Sequence, residues 1–158
     1  MELGLFLALA GAAMSVSIAG IGSILGVAMV GQGAAGVCTE KPELFGKVLL
    51  LEVLPGTQGI YGFIGTFFVL NQLGLLGDAP KTISVMQGWQ FFIACLPVAI
   101  GGLISAIFQG KVSTAGLNLV AKNPDKSGNA IILSAMVETY AVLGLLATIL
   151  LIMGIKVA

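Results

Sequence analysis

The stretch Ser127–Ile155, SGNAIILSAMVETYAVLGLLATILLIMGI, carries one charge, Glu138. About 20 apolar residues in a helix cross a bilayer core about 30 Å thick, and this run is longer than that. Outward from it, Leu3–Thr39, Val53–Gly77 and Thr82–Gly110 contain no charged residue at all. A chain in lipid must satisfy its backbone hydrogen bonds internally, so each run is expected to be a helix. The sequence therefore predicts an all-α membrane protein with four transmembrane helices over 3–39, 43–75, 84–122 and 127–156. At 1.5 Å per residue the first would be about 55 Å long and would project beyond the membrane.

Composition agrees. Of 158 residues, 58% are hydrophobic and 9% charged, against about 25% charged in an average soluble domain. The mean hydropathy is +1.09. So few polar side chains cannot wet a globular surface, and the outside must face lipid. There is no histidine, every basic residue is a lysine, and the net charge is zero. Imidazole catalysis and an electrostatic footprint for nucleic acid are thereby excluded. Cys38 and Cys95 follow no metal-ligand spacing and read as small packing residues. The opening MELGLFLALAGAA has an acid where a signal peptide needs a basic region, and its apolar run continues too far, so it is expected to be a retained span.

Lysines set the orientation. Lys41 and Lys47 flank the first interhelical loop, and Lys111, Lys122 and Lys126 the third, against Lys81 and Lys156 on the other side. That bias puts the 1–2 and 3–4 loops in the cytoplasm and both termini outside the cell membrane. Asp78 and Lys81 are expected to solvate the outer loop, with Trp89 an interfacial anchor.

Sliding the chain on itself by 82 positions superposes its halves. Identities appear at Val16/Val98, Gly20/Gly102, Ser23/Ser105, Pro42/Pro124, Leu51/Leu133, Thr57/Thr139 and Gly62/Gly144, among others. The expected organisation is two tandem helical hairpins, 1–80 and 81–158, in a single membrane-embedded unit. The repeats are parallel, unlike the inverted repeats of many secondary transporters. Small residues at four-residue spacing, such as Gly22 and Gly26, allow close helix packing. Their density suits a ring of helices.

Glu138 lies near the middle of its span, where an ionised carboxylate costs about 2.5–3.5 kcal/mol even on a lenient scale. It is either a structural acid neutralised by a neighbouring helix or a site of reversible H⁺ or Na⁺ binding. Hard oxygen donors are at hand. Leu54, Thr57, Gln58 and Tyr61 share one helical face, and Gln109 stands alone in the third span. Pro55 and Gly56 disturb the helix, freeing local carbonyls for a cation. One carboxylate, two amides, a hydroxyl and a carbonyl suit a small hard cation, and Tyr61 can donate its O–H to the carboxylate.

LPGTQGIYGF (54–63), FQGK (108–111) and MVETYAVLG (136–144), in a duplicated four-helix chain, closely resemble the K-type proteolipids of bacterial sodium-translocating V-type ATPases. The resemblance implies that Na⁺ is held by the Leu54 carbonyl, Thr57, Gln58, Gln109 and Glu138, with Tyr61 steadying the glutamate. It also implies a homo-oligomeric rotor ring. ATP hydrolysis in a separate head would turn the ring through a central-stalk subunit, past a stator membrane subunit. The chain itself has no GxxxxGK[ST] phosphate loop and is expected to be non-catalytic.

The repeat partners of Glu138 and Gln109 are Gly56 and Val27, so one complete ion site is expected per two hairpins. One residue stands outside the resemblance. Glu52, inside the second span, aligns with Ser134 and lies about 9 Å of helical rise from Gln58, which speaks against a second ion site; it is expected to form a structural ion pair with Lys111, with a role in a cytoplasmic ion path or a lone protonated acid as alternatives. Two other functions stay open at this stage: a proton-carrying ring of the same build, and an ATP-independent channel or secondary transporter.

Overall fold

The computed structural model describes residues 2–77 and 80–157. Asp78 lies outside the described residues. Four helical spans follow one another: α1 Glu2–Glu40, α2 Pro42–Gln72, α3 Val85–Lys122 and α4 Pro124–Gly154. All four are long and apolar enough to cross a membrane. Their limits fall within three residues of those expected from the sequence.

Local chemistry explains where they end. α2 stops at Gln72 because Gly74 adopts φ 70°, a left-handed conformation that favours glycine. Gly74 N–H then bonds Asn71 O and Leu75 N–H bonds Leu70 O, the Schellman closure of a helix C-terminus. α3 begins with a capping box. The Ser84 hydroxyl accepts from Gln87 N–H, and the Gln87 side chain accepts from Ser84 N–H, which satisfies two donors at the helix start. Pro42 and Pro124 each open a short 3₁₀ turn. The α-helical ladder of α3 is interrupted at Cys95, two residues before Pro97. A proline in a helix interior removes a donor and crowds the preceding turn.

α1 packs lengthwise against α3 and α2, and α3 against α4. The α1–α3 approach is backbone to backbone. A Cβ built on Gly22 would lie 2.6 Å from Leu103 Cα, and one on Gly110 would lie 2.7 Å from Gly26 Cα. Only glycine admits that spacing.

The interior has three layers. At one end Ala8, Val69, Leu73, Phe91 and Ile152 form an apolar cluster. At the other Val30, Val48, Leu51, Leu117 and Val120 form a second. Among the buried polar side chains are Ser15, Ser23, Gln58, Ser105, Gln109, Ser113, Ser134 and Thr148. Among the described residues none of the buried side-chain nitrogens and oxygens lacks a hydrogen-bond partner, as a medium without water demands.

Two lysines near the helix ends also hold the hairpins together. Lys41 Nζ donates to Ala121 O at 2.6 Å and Lys47 Nζ to Pro124 O at 3.0 Å. Ala121 lies in the last turn of α3, where carbonyls lack helical partners and attract cations.

Candidate functional site

Pro55 shapes the site. It cannot donate to Leu51 O, and the chain tightens into a 3₁₀ turn over Leu54–Gly56 before α2 resumes at Thr57. Leu54 O accepts both Thr57 N–H and the Thr57 hydroxyl, the latter at 3.0 Å. The turn also aims Thr57, Gln58 and Tyr61 at α3 and α4.

Glu138 is the meeting point. Its Oε1 accepts from Thr57 Oγ1 at 2.7 Å and from Tyr61 Oη at 2.5 Å. Its Oε2 accepts from Gln109 Nε2 at 3.3 Å. Gln58 Nε2 donates to Gln109 Oε1 at 2.5 Å, and Gln58 Oε1 lies 3.4 Å from Thr57 Oγ1. All six expected residues are thus brought together from α2, α3 and α4. Gln58 and Gln109 are fully buried, whereas Glu138 is half-buried beside a groove of about 420 Å³ along α4, lined by Ala135, Thr139, Val142 and Leu143.

The cluster is rich in acceptors. Around Thr57 Oγ1 lie the Leu54 carbonyl, the Gln58 amide oxygen and a Glu138 oxygen, yet a hydroxyl has one proton to give. Such oxygens can be balanced by a proton on the carboxylate or by a small hard cation among them. The groove along α4 lies directly against the carboxylate of Glu138. Among the described residues there is no group of three or more His, Cys, Asp or Glu fit to hold a metal. Any cation here depends on neutral oxygens beside one carboxylate.

Ser105 is a supporting residue that the sequence marks only as the repeat partner of Ser23. Its Oγ accepts from Gln58 Nε2 at 3.2 Å and donates to Val137 O at 3.0 Å. This holds the Gln58 amide with its oxygen toward Thr57. The signal was its repeat identity with Ser23, which accepts from Gly59 N–H and donates to Gly56 O. Both serines tie an odd span to an even one.

The expected Glu52–Lys111 pair is not formed. Lys111 Nζ sits 4.7 Å from the centre of the Phe108 ring, a cation–π arrangement. Glu52 turns the other way, over Gly31 of α1, where a Cβ would meet its Oε1 at 2.8 Å. Helical rotation places the two on different faces, which axial spacing along the chain does not reveal. Both cysteines are free; Cys95 is buried and Cys38 partly so.

Comparison with known proteins agrees with the repeat. The family model of the ATP synthase C subunit matches twice, over 10–69 and 92–151, the same 82-residue offset. The chain is 45% identical to the V-type sodium ATPase subunit K of Enterococcus hirae, over 96% of this chain and 93% of that one. It is 40% identical to the A-type ATP synthase subunit K of Methanocaldococcus jannaschii, over 96% of this chain and 64% of that one. With the 16 kDa proteolipid of the V-type proton ATPase of Nephrops norvegicus it shares 29% identity, over 92% of this chain and 89% of that one.

Proposed function

Since the chain belongs to the family of the ATP synthase C subunit, the non-catalytic proteolipids of rotary ATPases, we propose that it carries Na⁺ across the membrane in a rotor ring of identical copies. Glu138 supplies the charge. The Leu54 carbonyl, Thr57, Gln58 and Gln109 supply neutral oxygens, and Tyr61 donates its O–H to the carboxylate. The halves 1–80 and 81–158 are the two hairpins of the rotor unit, with the 1–2 and 3–4 loops toward the cytoplasm and both termini outside.

The observation that carries this reading is the acceptor-rich cluster at Glu138: three helices converge on one intramembrane carboxylate with more oxygens than protons to bridge them. A filled site would be neutral and could pass lipid, whereas an empty, ionised one is costly there. Rotation is therefore biased toward emptying only at a polar stator surface. The stator membrane subunit, the central stalk that turns the ring and the ATP-hydrolysing head are separate chains. The 45% identity to a subunit named for sodium supports the choice of ion.

A proton-carrying ring is the second reading, favoured by the relative named for protons and by a carboxylate that could share a proton with Tyr61. Carbodiimide labelling of Glu138 in the purified protein separates them. NaCl at fixed pH and ionic strength is expected to protect Glu138, and KCl is not. Labelling that follows pH but ignores Na⁺ would establish the proton carrier instead.

A further inference from the structure

The 82-residue repeat makes every contact between the two hairpins a template. Within one copy, hairpin 1 presents a face that hairpin 2 covers. The same face on hairpin 2 has nothing on it. Leu51 is fully buried against hairpin 2, while its repeat partner Leu133 is 60% exposed. Gln58 is fully buried, and its partner Tyr140 is 72% exposed. In the other direction, Ala106 of hairpin 2 is fully buried while its partner Ile24 is 69% exposed. The two exposed faces are the unmatched halves of one contact.

We propose that a second copy of the chain completes it: the Leu133–Tyr140 face of one copy docks on the Gly20–Glu52 face of the next. This rests on the ring reading above and names the residues that join its copies. Such head-to-tail contacts close a ring when the rotation allows.

Specific pairs follow by shifting internal contacts by 82. A Cβ on Gly116 would lie 3.4 Å from Leu51 Cδ1, so Leu133 meets Ala34 of the next copy. It enters the cavity of about 170 Å³ lined by Gly31, Ala34, Ala35, Cys38, Val48 and Glu52. A Cβ on Gly102 would lie 3.6 Å from Gln58 Cβ, so Tyr140 meets Gly20, over which a single copy leaves open space.

The interface between copies differs from the internal one in two ways. It carries no ion site, because Tyr140 stands where Gln58 does and faces Val27 and Gly56 in place of Gln109 and Glu138. It is also wider between the odd helices. The backbone contacts Gly22–Leu103 and Gly26–Ala106 become Ile104–Ile21 and Phe108–Ile24, whose side chains cannot interpenetrate backbones.

The test is oxidative cross-linking of paired cysteines in membranes, in a Cys38→Ala background. Ala34→Cys with Leu133→Cys, or Gly20→Cys with Tyr140→Cys, is expected to give a ladder of covalent dimers, trimers and higher species. Each single variant stays monomeric under denaturing conditions. Leu51→Cys with Gly116→Cys, the internal equivalent, is expected to close within one chain. An intact large ring in native electrophoresis with no ladder from either pair overturns this pairing and leaves the ring. Absence of any large assembly in the unsubstituted protein overturns both.

Discussion

At Glu138 one side chain holds the only charge between Ser127 and Ile155, and its neighbours divide into those that touch the carboxylate and those that hold the touching groups. Glu138→Gln is expected to abolish Na⁺ binding, because the amide brings no charge to balance the ion; equilibrium binding of ²²Na⁺ reads this. Thr57→Ala removes an oxygen 2.7 Å from the carboxylate and is expected to weaken Na⁺ about tenfold, equivalent to about 1.4 kcal/mol. Ser105→Ala frees the Gln58 amide to rotate and is expected to weaken Na⁺ by a smaller factor, with the number of sites unchanged. Thr57, Gln58, Tyr61, Gln109 and Glu138 were legible in the sequence because each is a polar residue inside an apolar run, and Leu54 because it stands before the helix-disturbing Pro55. Ser105 was not, because serine is common at helix contacts and only its hydrogen bonds reveal that it orients Gln58. Glu52 and Lys111 misled because their spacing along the axis was right and their rotation about it was not.

Among the elements, α2 depends on a broken turn and α1–α3 on an unbroken approach. Pro55→Ala restores a donor to Leu51 O and straightens the Leu54–Gly56 turn, so it is expected to lower Na⁺ affinity while the protein still assembles; ²²Na⁺ binding beside native electrophoresis checks both halves. Gly22→Val drives a side chain into Leu103 Cα, 2.6 Å from the glycine's ideal Cβ. It is expected to cost about 1–3 kcal/mol, read as a lower temperature of thermal inactivation. Four spans and their repeat were legible, since charge-free runs and an 82-residue offset are properties of the sequence itself. The ends were less so. α2 closes at Gln72 through a Schellman turn at Gly74, and apolar residues beyond it, Leu73, Leu75 and Leu76, keep the hydropathy high past the end of the helix.

For the whole molecule, duplication without a second acid would set how many ions the proposed ring carries. Gly56 and Val27 occupy the positions of a second Glu138 and Gln109, so under the proposed function each chain would take one ion over four helices. Fewer ions per ATP let a pump oppose a steeper gradient, and vesicles reconstituted with the whole ATPase, head and stator included, are expected to build a large Na⁺ gradient on ATP. Whether Glu138 carries Na⁺ is decided by the stoichiometry of ²²Na⁺ bound to the purified protein, with and without Glu138→Gln. One Na⁺ per chain is expected, displaced by protons and lost in the variant. No Na⁺ on the unsubstituted protein, or binding that survives Glu138→Gln, would contradict it.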